Sequence, residues 1–126
     1  STEIYRLTES FPKQETYALA NQLQRAVVSI PSNIAEGASR ESESDFARFL
    51  EIALGSTYEV ETQIQIAYNL AYITQLQLEN LLQKLQSIEK RLTSLINRLR
   101  KRHQPSPSAI AKKSAIAIAI SHSHNI

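Results

Sequence analysis

The side chains best suited to metal binding or proton transfer are His103, His122 and His124, and all three lie at or beyond the end of the last helical pattern in the chain. His122 and His124 flank Ser123 but lack a third and fourth ligand held by a helix or hairpin, so the pair has no fixed coordination geometry to offer a metal. There is no Cys, which removes thiolate nucleophiles, thiolate metal sites and disulfides, and which favours the cytoplasm. Two glycines, Gly37 and Gly55, cannot build a phosphate-cradling loop. Carboxylates are numerous, yet none stands in the Glu-x-x-His spacing of a di-iron bundle. No constellation for acid–base or nucleophilic catalysis emerges. The expectation is a protein that is not an enzyme, needs no metal or cofactor, and acts by binding and assembly.

The informative polar residues are those that interrupt apolar faces. If the second and third helices form an antiparallel hairpin turning near residues 38–41, facing positions sum to about 81, give or take one helical turn. Arg25 then comes near Ser56 and Glu59, and Asn33 and Glu36 come near Arg48. Gly55 would face Ala26 and let the two backbones approach. Buried polar groups persist only when paired, so Arg25 with Glu59 and Glu36 with Arg48 read as structural ion pairs that set the register. A ligand site built on Arg25, Asn33 and Glu36 is the functional alternative.

These residues sit on helices. Hydrophobic residues make up 42% of the 126-residue chain, while two Gly and four Pro leave few places to break a helix. The first helical fragment spans 1–9, with Ile4 and Leu7 on one side. Pro12 suits the first position of a second helix, whose stripe runs through Tyr17, Leu19, Leu23, Ala26, Val27 and Ile30. Pro31 should kink or end that helix, and Gly37 reads as its stop. Ser42-Glu43-Ser44-Asp45 resembles a capping box for a third helix with apolar residues on more than one face, as a helix with two neighbours requires. Thr74-Gln75-Leu76-Gln77 opens a fourth helix, in which Leu78, Leu81, Leu85, Ile88, Leu92, Leu95 and Leu99 step by three and four as a heptad seam. The expected fold is all-α, with a bundle over residues 1–104. Residues 105–126 read as a poorly ordered tail, Ser-rich and then Ala-Ile alternating over 115–120. The longest apolar run is far too short to span a bilayer, so no membrane partner is expected.

Charge is distributed unevenly along these elements. Residues 1–83 carry five Lys or Arg against eleven Asp or Glu, whereas residues 84–113 carry nine basic residues against Glu89 alone. Lys84, Arg91 and Arg98 recur every seven residues along one flank of the seam, and Lys90, Arg100, Lys101 and Arg102 add to the same end. Such a cationic end on an acidic body suits a polyanion or an acidic partner. Complementing the dipole at a helix C-terminus would explain part of the same cluster.

The run Gln22-Leu23-Gln24-Arg25-Ala26-Val27-Val28-Ser29-Ile30-Pro31-Ser32-Asn33-Ile34-Ala35-Glu36-Gly37 resembles the signature of the 23S ribosomal RNA intervening-sequence proteins. So do Phe46-Ala47-Arg48-Phe49-Leu50-Glu51-Ile52-Ala53-Leu54-Gly55-Ser56 with Glu59, Glu61 and Thr62, and the stretches Phe11–Glu15 and Tyr17–Leu19. Together they cover most of residues 4–100. The resemblance implies an antiparallel four-helix bundle, associated as a ring-like homo-oligomer, a pentamer, with no enzymatic activity. It also points more distantly to the accessory variability determinants of retroelements, which bind nucleic acid and a reverse transcriptase. Against that pattern the first helix of this chain is short by several turns. The combined expectation is a homo-oligomeric scaffold that binds RNA or DNA through Lys84, Lys90, Arg91, Arg98, Arg100, Lys101 and Arg102. The alternative is an accessory subunit that docks a protein such as a reverse transcriptase.

Overall fold

A computed structural model describes residues 2–9 and 17–101, which form four α-helices: α1 (Thr2–Glu9), α2 (Tyr17–Ala38), α3 (Glu43–Asn69) and α4 (Gln75–Lys101). Pro12, Arg102, the three histidines and the Ala-Ile tail lie outside the described residues, as does the 104/105 boundary. The fold is all-α, an antiparallel bundle with a short first helix.

The helices begin where the sequence signals them. Ser42 caps α3, its Oγ accepting from the Asp45 backbone N–H at 3.0 Å. Thr74 and Gln77 form a reciprocal box at the start of α4: the Thr74 Oγ1 accepts from the Gln77 N–H at 3.1 Å, and the Gln77 Oε1 accepts from the Thr74 N–H at 2.9 Å. Between them α3 ends in a Schellman turn. The Tyr72 N–H donates to the Ala67 carbonyl at 2.8 Å and the Ala71 N–H to the Tyr68 carbonyl at 2.9 Å, with Ala71 at φ 61. A left-handed conformation costs an L-residue roughly 1–2 kcal/mol, and glycine escapes most of that cost. Ala71→Gly is therefore expected to stabilise the protein by about 1 kcal/mol, read as a higher urea midpoint at unchanged slope.

Two expected breaks do not occur. α2 runs unbroken through Pro31, and Gly37 lies inside it with ordinary helical φ. Packing accounts for both, because Val27, Ile30 and Gly37 are all buried and hold the turns on either side of the missing Pro31 hydrogen bond. Gly37 serves close approach instead: a Cβ there would stand 2.7 Å from the Phe49 Cβ. Gly55, expected to face Ala26, is exposed, and a Cβ on it would meet nothing within 4 Å.

α3 is the spine of the molecule. α2 and α4 each pack along it, α1 packs on α2, and α2 and α4 make no close backbone approach. Its two buried faces follow from that position. One core cluster joins Ile4 and Leu7 of α1 to Leu23 and Ile30 of α2, Val60 and Ile64 of α3, and Leu81 and Leu85 of α4. A second joins Leu50, Leu54 and Tyr58 of α3 to Leu92, Ile96 and Leu99 of α4. The seam on α4 drifts as it descends. Leu78, Leu81, Leu85, Leu92 and Leu99 are buried as expected, but Glu89 and Ile96 are buried where Ile88 and Leu95 are only partly so. A straight helix of 3.6 residues per turn gains about 20° per heptad on a 3.5-residue repeat, and the buried face moves one position to follow it.

Candidate nucleic-acid interface and the polar contacts around it

The basic residues of α4 divide among three places. Lys84 and Arg91 border an apolar groove of about 540 Å3 that lies between α2 and α4, floored by Leu50 and Val60 of α3 and closed at one end by Ile4 of α1. Lys84 Nζ is 2.6 Å from Glu3 Oε2, a bridge with both side chains at least half exposed, which limits its worth to about 0–1 kcal/mol. Lys90 stands on the other flank of α4, at a polar cleft of about 580 Å3 that also includes Tyr58, Glu89 and Asn97. Arg100 does neither. Its Nε donates to Glu51 Oε1 at 2.9 Å, with the two side chains only 17% and 9% exposed, so it ties the end of α4 to α3. Arg91, Arg98, Lys90 and Lys101 are exposed, and none is salt-bridged to another described residue.

The polar residues between α2 and α3 pair differently from the expected ion pairs. Arg25 and Glu59 are both exposed and are not joined. Glu36 bonds Arg40, just past the end of its own helix, at 2.7 Å, and Arg48 sits 3.8 Å from Asp45 on α3. Arg40 and Arg48 both lie over the Phe49 ring, at 5.0 and 4.7 Å from its centre. The link that does cross from α2 to α3 is Ser29 to Ser56, Oγ to Oγ at 2.8 Å, and Asn33 Nδ2 donates to the Ser29 Oγ at 2.9 Å. Asn33 and Ser56 are thus linked through Ser29, which stands where Arg25 was expected beside Ser56. The partner of Ser56 is one turn further along α2 than expected. Small hydroxyls fit the tight contact, whereas long charged side chains remain in water and avoid the desolvation cost.

The feature that residue spacing did not reveal is a buried acid pair. Glu61 of α3 and Glu89 of α4 are both buried, 2% and 8% exposed. Burial, then the hydrogen bond and negative charge of Glu61, push Glu89 up to about 9 from 4.5. Burial and the same two acids hold the Tyr58 phenol far above its ordinary value. A signal was present: Glu89 is the lone acid in the basic stretch 84–113, four residues after Leu85 and three before Leu92, a spacing that belongs to the seam.

Among the described residues, no group of three or more His, Cys, Asp or Glu is placed to hold a metal ion, and no helix is long and apolar enough to cross a membrane. The fold and its surfaces define a class, a small helical bundle with a cationic helix edge and an open apolar groove. Residues 1–94 match the family of the 23S rRNA-intervening sequence protein, and the chain belongs to that family. A search of curated proteins brings no match.

Proposed function

We propose that the protein is a non-enzymatic cytoplasmic scaffold whose copies associate into a homo-oligomer, a pentamer by family resemblance, and present the α4 edge to RNA or DNA. The observation that carries this reading is the exposure of Arg91, Arg98 and Lys101 on one helix without a bridging carboxylate among the described residues. Charges that already have partners gain little from a phosphate, and among the described residues these have no ion pair to give up. The family's association with a ribosomal RNA insertion is consistent with an RNA setting.

The test is fluorescence anisotropy with labelled RNA and DNA, single-stranded and duplex, across several salt concentrations. Replacing Arg91, Arg98 and Lys101 by Gln should weaken binding. For each phosphate interaction removed, the slope of log affinity against log salt should fall by about 0.9 on duplex DNA and about 0.7 on a single strand. Arg100→Gln should instead cost stability, because its guanidinium is held by Glu51. Equal affinities and slopes for the native and triple-Gln proteins would remove nucleic acid from this edge. Sedimentation equilibrium checks assembly, and a mass of 14.2 kDa at micromolar concentration would end the scaffold reading.

A second reading rests on the groove between α2 and α4. An apolar trough with Lys84 and Arg91 on its border suits an amphipathic helix with acidic flanks. Under this reading the protein is an accessory subunit for a protein partner, of which a reverse transcriptase is one example. Loss of partner binding on substitution of Ile88 by Asp, with nucleic-acid binding unchanged, would favour it.

A further inference from the structure

The trough that seats α1 is longer than α1. At its occupied end Ile4 and Leu7 join Val27 of α2 and Leu81 and Leu85 of α4 in one apolar cluster, while Glu3 reaches across to Lys84, Oε2 to Nζ at 2.6 Å. One heptad further along α4 the same residue types return. Leu81, Lys84 and Leu85 are followed by Ile88, Arg91 and Leu92, and on α2 Val27 is followed by Ile34. All of these line the groove of about 540 Å3. Seven residues of helix rise about 10.5 Å, so the second set repeats the first at a displacement of roughly two turns.

Two differences mark the second set. Ile34 and Ile88 are only partly buried, where Val27, Leu81 and Leu85 are buried. Arg91 is exposed and has no ion pair among the described residues, whereas Lys84 has Glu3. Half-covered aliphatic surface favours an apolar cover, and a guanidinium at its border favours a carboxylate, which it can hold through two parallel hydrogen bonds. We infer that the second set seats a helix in the way the first seats α1. Its occupant is an amphipathic helix of a partner protein, with its apolar stripe on Ile34, Ile88 and Leu95 and an acidic side chain on Arg91. This rests on the reading of the groove as a protein-docking surface and adds to it the register and the residue that selects the partner.

The walls suit a helix better than a nucleic-acid strand. The charged side chains that line the groove are Glu3, Lys84 and Arg91, all three exposed, and every other lining residue is apolar. No side chain of the floor can therefore hydrogen-bond a base or a sugar. A helix satisfies its backbone donors and acceptors internally and can lay one apolar face on such a floor. Because α2 and α4 make no close backbone approach, a helix can rest on both at once.

The experiment is fluorescence anisotropy on the whole protein with two labelled synthetic peptides of about four turns. Both repeat the spacing of Glu3, Ile4 and Leu7, in which one residue directly precedes an apolar position and a second apolar position follows three on. One peptide carries Glu at the position of Glu3 and the other carries Lys. At low salt the Glu peptide should bind the native protein on the order of tenfold more tightly than the Lys peptide, and added salt should narrow the gap. Arg91→Glu should abolish or reverse that order, and its helical circular dichroism should persist because the side chain is exposed. Arg25→Glu makes the same change of charge outside the groove and should leave the order as it was. Ile88→Asp reports whether the peptides use the groove at all. Binding that Ile88→Asp weakens, with an order that Arg91→Glu leaves unchanged or that Arg25→Glu alters equally, overturns the proposed register while the protein-docking reading stands. Absence of binding by either peptide, or binding indifferent to Ile88→Asp, overturns both. Should Ile88→Asp fail to fold, the comparison of Arg91→Glu with Arg25→Glu decides alone.

Discussion

Gly37→Ala is expected to destabilise the protein by about 1–2 kcal/mol, although alanine is the better helix former by roughly 1 kcal/mol. The added methyl would stand 2.7 Å from the Phe49 Cβ, 3.0 Å from the Phe46 Cδ1 and 3.3 Å from the Phe46 carbonyl oxygen. A Cβ cannot swing aside as the end of a long side chain does, so α2 and α3 must part at this point. Overpacking of that kind costs about 1–3 kcal/mol and can exceed the helical gain. The cost should spread along the interface, because the Ser29–Ser56 hydrogen bond depends on the same spacing. Denaturation midpoints of Gly37→Ala and of Gly55→Ala form the test as a pair. Gly55 is helical, exposed and unobstructed, so its replacement should stabilise by about 0.5–1 kcal/mol. Equal gains at both positions would show that α2 does not approach α3 as closely as described.

A larger loss is expected for Ile64→Ala, about 2–5 kcal/mol. Ile64 has no exposed surface and lies in the cluster where α1, α2, α3 and α4 contribute side chains together. The missing methyl groups would leave space bounded by rigid helices, and the site can collapse only by shifting one of them. Leu76→Ala is the control, because Leu76 is 67% exposed at the start of α4 and should cost less than about 0.5 kcal/mol. Thermal or urea unfolding followed by circular dichroism distinguishes the two. An Ile64→Ala loss no greater than the control would mean that α3 is not the common packing surface.

Helix starts were legible in the sequence because capping is local: Ser42 and Thr74 each act within three residues of their own position. The four-helix order and the two-faced character of α3 were legible for a similar reason, since periodicity reports burial directly. The relative register of α2 and α3 was not. It depends on where the closest backbone approach falls, and Gly37 could not be distinguished from a helix stop by its identity alone. Arg25 and Glu59 invite pairing on charge, but both stay exposed, and two serines take the crossing. In the sequence the seven cationic residues from Lys84 to Arg102 read as one edge, whereas on α4 Arg100 turns to Glu51 and Lys90 to the opposite flank. Side-chain reach decides those outcomes, and sequence spacing constrains it weakly. The burial of Glu89 is masked in the sequence because the same residue is both a charge in a basic stretch and a seam position between Leu85 and Leu92.

The arrangement of helices around α3 also bears on how the chain reaches its fold. α1 packs on α2, α2 on α3 and α3 on α4, and the connections from Ala38 to Glu43 and from Asn69 to Gln75 are short. Each major interface can therefore form as soon as its two helices exist, at little loop-closure entropy, which places the protein among topologies that fold in microseconds to milliseconds. With no close α2–α4 backbone approach to complete, the α2–α3 hairpin can form before α4 docks, and α4 can fray from the bundle while that hairpin persists. The helix that carries the cationic edge is thus one that can leave or rejoin a hairpin already formed by α2 and α3.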